Sequence, residues 1–338
     1  MMAKEKQRKN YRAKIGNNLV PFCETFLFFY AALIHSLYFC SMKTILHTSC
    51  PVCKATTLKP LVQCKDYTVS NETFSIEVCE NCQTGITQQV PTKTDIGRYY
   101  QSESYISHSN TKKGLVNTIY HTVRSYMLGK KLQLVETVTN KKTGLALDIG
   151  CGTGYFLNTL QKAGWQVEGI EADENARKFA KEQFTLQVHA PEYLTALPSK
   201  AFDVITLWHV LEHIHDLASY MQEIYRVLKP AGTLIIAVPN YQSYDATHYK
   251  ELWAAWDVPR HLWHFTPTSM AVLAKNYNFT LLQHHLMPFD SFYVALLSEK
   301  YKKNPFALLA GFWHGFLSLL GAWKNVKHAS SIIYVLKK

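Results

Sequence analysis

From Leu145 onward the chain alternates short, almost uninterrupted apolar runs with segments whose apolar residues recur at helical spacing. Leu145-Ala-Leu-Asp-Ile149, Trp165-Gln-Val-Glu-Gly-Ile-Glu171, Asp203-Val-Ile-Thr-Leu-Trp-His209 and Thr233-Leu-Ile-Ile-Ala-Val238 read as strands. Leu217 to Leu228 reads as a helix, and Lys229-Pro-Ala-Gly232 stops it and turns the chain. Strands that are apolar on both faces, alternating with helices, predict a doubly wound α/β domain with a largely parallel sheet. Ser331-Ile-Ile-Tyr-Val-Leu336 reads as a last, antiparallel strand of that sheet.

Two longer apolar stretches break this rhythm. Leu19 to Cys40 follows a basic leader (Lys4, Lys6, Arg8, Lys9, Arg12, Lys14) and is interrupted by Glu24 and His35. It could be a membrane anchor or a signal peptide, although no small-residue cleavage site is evident near Ser36–Ser41. An anchor with its positive flank on the N-side would carry the rest of the chain out of the cytoplasm. The favoured expectation is that residues 1–41 are not native and that Met42 is the start. Phe306 to Trp323 holds two interior glycines and His314, which suit a helical hairpin better than a span. Such a hairpin is either packed on the sheet or a lid, lying at an interface, that admits an apolar acceptor. The location expected is cytoplasmic, with membrane association left open and no stable span.

The 338 residues fit one large domain or two modest ones, and no fixed-period repeat points to a solenoid or propeller. An apolar fraction of 47% excludes wholesale disorder. Net charge is +11, of which the first 41 residues contribute six Lys or Arg against two acids, leaving +7 for the body. That modest excess permits an anionic partner without requiring one.

Four of the eight cysteines form two pairs, Cys50-Pro-Val-Cys53 and Cys79-Glu-Asn-Cys82, separated by 25 residues. Two C-x-x-C turns can supply four thiolates to one tetrahedral Zn²⁺, and the gap can hold the hairpin of a zinc ribbon over residues 48–90. Thr68-Val-Ser70 and Phe74-Ser-Ile-Glu-Val78 are the strand-like runs of that hairpin. Disulfides and a redox dithiol are the weaker alternatives. A closed four-sulfur site is structural, and Cys64 reads as a spare buried thiol.

The strand at 145–149 runs into Gly150-Cys-Gly-Thr-Gly154. Glycines there allow a tight turn and close backbone approach to a ligand. Tyr155 stands where a dinucleotide fingerprint needs its third glycine, and Asp148 would repel a pyrophosphate while suiting a cationic, amino-acid-bearing cofactor. Glu171 ends the second strand, 17 residues past the loop, where a carboxylate can accept both ribose hydroxyls.

Leu147-Asp-Ile-Gly-Cys-Gly-Thr-Gly154, Gly169-Ile-Glu171, Phe202-Asp-Val-Ile205, His209-Val-Leu-Glu-His213 and Val227-Leu-Lys-Pro-Ala-Gly232 resemble, in order, the motifs of class I S-adenosylmethionine-dependent methyltransferases. The branch containing the ubiquinone-biosynthesis O-methyltransferases looks most similar, over about residues 115–290. The resemblance implies a seven-stranded Rossmann-like sheet over 141–290, a helical connector over 91–140 and C-terminal lid helices with the last strand over 291–338. It also implies that Asp148 and Gly150, Cys151, Gly152, Thr153 and Gly154 hold the methionine moiety of S-adenosylmethionine. Glu171 and Ala172 would meet its ribose, Trp208 and His209 would line the sulfonium pocket, and Arg124 would reach the cofactor. No acid stands beside His189-Ala-Pro191, so the adenine contact is unassigned. A zinc ribbon ahead of such a domain resembles a group of bacterial small-molecule and sugar methyltransferases, as well as ribosomal RNA guanine methyltransferases. Cys64–Ser70, Arg98–Tyr105 and Trp256–His261 look like the former.

An acceptor must be aligned and, if it is a hydroxyl or amine, deprotonated. The candidates are His209, His213, His261 and His264, with Arg260 as a clamp for an anionic acceptor. Similar quinone-pathway enzymes bind Mg²⁺ near His209-Val-Leu-Glu-His213 with acids and a histidine, but His209 replaces one of the acids. The favoured reading is that Glu212 and His213 buttress the following helix. Connector residues Tyr99, Tyr100 and Tyr105 either close over the cofactor or pack. The expected activity is methyl transfer to oxygen or carbon of a small molecule such as a sugar, quinone or lipid-like compound. RNA methylation is weaker because Asp66, Glu72, Glu77 and Glu80 offset Lys54, Lys59 and Lys65 in the ribbon. A non-catalytic zinc-binding adaptor is the third reading, and the intact glycine loop argues against it.

Overall fold

Seven strands form the central sheet of the computed structural model, which describes residues 43–101 and 115–338. The apolar leader and Tyr105 lie outside the described residues. In chain order the sheet strands are β4 (Leu145–Ile149), β5 (Gln166–Ile170), β6 (Val188–His189), β7 (Phe202–Trp208), β8 (Leu228–Pro239), β10 (Thr280–Leu286) and β11 (Ser331–Lys337). Their order across the sheet is β10-β11-β8-β7-β4-β5-β6. The run from β6 through β8 is parallel, and β11 is antiparallel to both of its neighbours. The continuous apolar pattern is explained by burial on both faces. Leu147, Ile205, Leu207, Leu234 and Ile236 enter one apolar cluster, while Ala146, Val204, Ile235 and Ala237 enter another.

The covering helices are α1 (Leu115–Thr139), α2 (Tyr155–Lys162), α3 (Glu174–Phe184), α4 (Leu217–Val227), α5 (Tyr244–Tyr249), α6 (Pro267–Asn276), α7 (Asp290–Tyr301) and α8 (Ala307–Lys324). Their starts follow capping chemistry. Asp173 accepts from Ala176 N–H, Asp216 from Ser219 N–H, and Thr266 forms a reciprocal box with Ser269 ahead of Pro267. The Lys229–Gly232 stop ends α4 but lies inside β8 as a bulge between Leu228 and Thr233, with Ala231 at φ 56°. No helix among the described residues is long and apolar enough to cross a membrane.

A second sheet is built from β1 (Leu58–Lys65), β2 (Thr73–Cys79), β3 (Gly85–Thr87) and β9 (Trp263–His264), in the order β9-β3-β2-β1. The first strand of the ribbon hairpin is therefore 58–65, not 68–70. The Asp66 carboxylate accepts from the N–H groups of Thr68, Val69 and Ser70, which folds that segment into a turn. Pro60 masks β1 in the sequence, and the strand tolerates it at a bulge between Pro60 and Val62. Residues Ile45–Lys338 form one compact unit.

Candidate cofactor and acceptor site

The loop after β4 holds three left-handed glycines, with φ of 70° at Gly150, 53° at Gly152 and 80° at Gly154. Two of them are dictated by crowding. A Cβ at Gly150 would lie 2.3 Å from Val210 Cγ2, and one at Gly154 would lie 2.8 Å from Leu186 Cδ1. At Gly152 a Cβ would meet nothing within 4 Å among the described residues, so this residue forms the open lip of the loop. Gly150 and Cys151 N–H groups donate to Ile170 O, at 2.7 and 3.1 Å, and fix the loop on β5. Glu171 completes the cradle. Its Oε2 accepts from Gly152 N–H at 2.8 Å and its Oε1 from Asp173 N–H at 2.9 Å.

Beneath the loop, Asp148 is fully enclosed and accepts from Thr206 Oγ1 at 2.5 Å. Burial pushes its carboxyl up to about 7 against the opposing pull of Thr206 and Lys131. Lys131, on α1, is drawn down to about 8 by burial, with Asp148 and Asp290 working against that shift. Its Nζ lies 4.1 Å from the Trp208 ring centre. Nothing in the sequence distinguishes Lys131 from Lys130, because only the α1 packing selects which of the two turns inward. Arg124 lies over the Tyr155 ring at 3.9 Å and donates to His121 Nδ1 at 2.8 Å, which sets it beside the loop. His189 at the end of β6 stacks on Tyr193 at 3.8 Å, an aromatic platform where the sequence reading left the adenine contact unassigned.

His209 follows β7 in a left-handed conformation, φ 57°, which is strained for a residue with a Cβ. Its Nδ1 stands 3.3 Å from Glu212 Oε1 as a charge contact, while its Nε2 and both Glu212 carboxylate oxygens are buried without a hydrogen-bond partner among the described residues. Burial disfavours the His209 imidazolium, but the Asp290 and Glu212 carboxylates outweigh it and raise its pKa. Glu212 is fully buried, held below the usual carboxylate range by His209 despite burial. His213 Nδ1 lies 3.0 Å from the Arg260 carbonyl, which can only accept, so that nitrogen carries the proton; Tyr100 Oη is 3.1 Å away. Burial and His261 pull His213 down to about 4.

Glu212, His213 and His261 offer three donor atoms within 4.8 Å of one another. Two imidazoles and one carboxylate do not fit magnesium, which demands oxygen ligands in near-octahedral array, so the Mg²⁺ site of similar enzymes does not carry over. His248, Glu299 and His314 form a second such trio. There the Glu299 carboxylate already accepts from Asn304 at 2.5 Å and Lys302 at 3.4 Å, and the ammonium competes with any cation.

Residues 120–284 match a family profile described as a methyltransferase domain. This segment is a methyltransferase domain. Ubiquinone biosynthesis O-methyltransferases are similar to it: that of Histophilus somni is 38% identical over 32% of this chain and 49% of its own length. That of Methylococcus capsulatus is 30% identical over the same shares. The chain thus spans about half the length of these curated relatives. A solved SAM-dependent methyltransferase from Archaeoglobus fulgidus is 19% identical, covers 64% of this chain and 94% of its own, and superposes with a TM-score of 0.43.

Two of the acceptor-side expectations for the methyltransferase domain are corrected. Arg260 is 1% exposed and donates to Asp66 at 3.0 Å, Asp257 at 2.7 Å and Tyr99 O at 2.8 Å. With its guanidinium enclosed in this way it anchors the loop rather than clamping an acceptor. Its removal strands the buried Asp66 carboxylate and the half-buried Asp257, so Arg260→Ala is expected to cost about 3–5 kcal/mol in urea unfolding. A surface clamp would instead change KM and leave stability intact. His264 is likewise buried, its Nε2 2.9 Å from Thr87 Oγ1, and burial holds it neutral, far below its ordinary pKa. It is a core histidine. His261 keeps Nδ1 on Ala255 O at 2.9 Å and packs edge-on against His213 at 4.6 Å. Tyr99 is buried and bonded to Glu72, so it packs rather than closing over a cofactor.

The ribbon is joined to this loop through β3–β9 pairing, where Trp263 faces Ile86 and His264 faces Gly85. A Cβ at Gly85 would come 2.9 Å from His264 Cβ, so the close approach needs glycine. Thr87 Oγ1 donates to His261 O at 2.7 Å. Cys50, Cys53, Cys79 and Cys82 converge within 4.8 Å, with Sγ separations of 3.5 Å (Cys50–Cys82) and 3.4 Å (Cys53–Cys79). Those separations exceed a disulfide bond and approach the tetrahedral edge of a Zn–S₄ centre, about 3.8 Å. Cys64 stays outside the cluster, buried in β1.

Proposed function

We propose that this chain is an S-adenosylmethionine-dependent methyltransferase acting on oxygen or carbon of a small-molecule acceptor, with a structural zinc in its ribbon. The observation that carries the reading is the Glu171 carboxylate held against the Gly152 lip of the glycine loop. The names of the similar ubiquinone biosynthesis O-methyltransferases favour oxygen of a quinone-pathway compound as acceptor.

Glu171 is suited to accept the ribose hydroxyls, the His189–Tyr193 stack to flank the adenine, and the Asp148 carboxyl to pair with the cationic methionine end. The bound donor supplies a methyl carbon activated by its sulfonium. On this chain, the Glu212 carboxylate faces His209 Nδ1 at 3.3 Å, which favours the proton there and leaves Nε2 to take the acceptor's proton, with His213 and His261 packing around Glu212. His209 therefore replaces His261 and His264 as the proposed base. The four thiolates of Cys50, Cys53, Cys79 and Cys82 would hold zinc and, through β3, support the loop that carries His261.

The raised pKa keeps His209 protonated above its ordinary 6.5, so kcat is expected to rise with pH through that range. Glu212→Gln should move this acid limb to lower pH, and His209→Gln should remove it while lowering kcat about 100-fold or more. Unchanged pH–rate profiles in both variants would exclude the dyad. Incubation with methyl-labelled donor and fractionated extract tests the acceptor class. Label in quinone, lipid or sugar fractions is expected, whereas label in RNA, in a salt-sensitive complex, would overturn it.

A further inference from the structure

Helix α8 is packed inside out. Gly311, Gly315, Ser318 and Ala322 recur at spacings of four, three and four residues, and all four are buried. Cβ atoms at Gly311 and Gly315 would come 2.7 Å from the Cα atoms of Leu296 and Phe292, so these glycines admit the backbone of α7. The large apolar side chains are left outside. Phe306, Leu308, Leu309, Phe312 and Trp313 are each 57–73% exposed, and Trp323 is 65% exposed at the other end. A helix of a water-soluble domain buries its large apolar face, because that is the face water penalises. Isolated exposed apolar residues need no explanation, but a contiguous face of this kind marks a binding surface.

The charge around this face selects the occupant. No Asp or Glu follows Glu299, while Lys300, Lys302, Lys303, Lys324, Lys327, Lys337 and Lys338 do. Glu299 itself is buried. Lys300, Lys302 and Lys303 are exposed at the turn between α7 and α8, beside Phe306. Lysines and tryptophan flanking an apolar helix face match the headgroup zone of a bilayer, with lysine stems reaching anionic lipid while the apolar side chains enter the acyl boundary. At 18 residues and with no span-forming hydropathy, α8 fits this surface lying flat.

We infer that the α7–α8 hairpin seats on an anionic phospholipid surface through Phe306, Leu309, Phe312 and Trp313, with Lys300 and Lys303 on the headgroups. The hairpin begins at Asp290, whose charge acts on His209, so docking would bring the proposed acceptor site to the membrane face. The inference draws on residues beyond the matched 120–284 segment and stands apart from the catalytic reading.

The test is co-sedimentation of the full chain with phosphatidylcholine vesicles and with vesicles that also contain phosphatidylglycerol. Binding is expected to be strong and salt-sensitive on the second and weak on the first. Lys300→Glu with Lys303→Glu should reduce it about thirtyfold or more. Leu309→Ser with Phe312→Ser should abolish it. These side chains are exposed, so melting curves and donor affinity of both variants should match wild type, which separates lost docking from misfolding. Absence of wild-type binding to either vesicle would overturn the inference. So would equal binding of all variants, or a dimer seen by sedimentation velocity that the Leu309/Phe312 change dissociates while vesicles fail to bind.

Discussion

Replacing Glu171 by alanine is expected to weaken S-adenosylmethionine binding about 100-fold, measured by isothermal titration calorimetry. The carboxylate holds Gly152 and Asp173 N–H groups while leaving lone pairs toward the ribose position. Hydrogen bonds to a charged group contribute about 1.5–3 kcal/mol each, so losing two at the lower end of that range raises Kd by about two orders of magnitude. Glu171→Gln should fall between, since the amide oxygen still accepts one bond. The fold should survive either change, because Glu171 lies at the sheet's edge of the cleft and its main chain pairs with His189 O regardless of the side chain. Wild-type affinity in Glu171→Ala would show that the donor does not use this carboxylate.

Removal of zinc, by chelation or by Cys79→Ser, is expected to abolish methyl transfer while changing donor affinity by only a few-fold. A structural zinc contributes on the order of 10–16 kcal/mol in isolated zinc-finger peptides, so the ribbon should not keep its hairpin without it. The ribbon's third strand pairs with Trp263 and His264, and Asp66 in the same module is the partner of Arg260. Loss of the ribbon therefore releases the segment from Asp257 to His264. The glycine loop is fixed by β5 and by Glu171, neither of which touches the ribbon's hydrogen bonds. Metal analysis should give one zinc per chain, and differential scanning calorimetry should show a lowered Tm after chelation. Undiminished turnover by metal-free protein would contradict this role.

The parallel sheet was legible because its strands are buried on both faces and its helices carry cap residues at their starts. The glycine loop and Glu171 were legible for a related reason: crowding by Val210 and Leu186 restricts Gly150 and Gly154 to residues without a Cβ. What the sequence hid depends on distant partners. Arg260 looks like a surface cation until Asp66, 194 residues earlier, closes on it. His264 looks like a base until it is found against Gly85 and Thr87 across a strand pair of only two residues, too short to leave a pattern. Pro60 and the side-chain turn at Asp66 shifted the ribbon's first strand away from the β-branched run at Thr68–Val69. The inverted face of α8 was hidden as well, since its glycines signal a helix break in sequence and a close helix contact in the fold.

The central claim is that the bend after β4, facing Glu171, receives S-adenosylmethionine. Amide hydrogen exchange of the zinc-loaded protein, with and without saturating donor, tests it at residue level. Slowed exchange at Gly150–Gly154 and Glu171–Asp173 is the predicted result, with the hairpin beyond Asp290 serving as an internal reference. Unchanged exchange across both segments under saturating donor would contradict it.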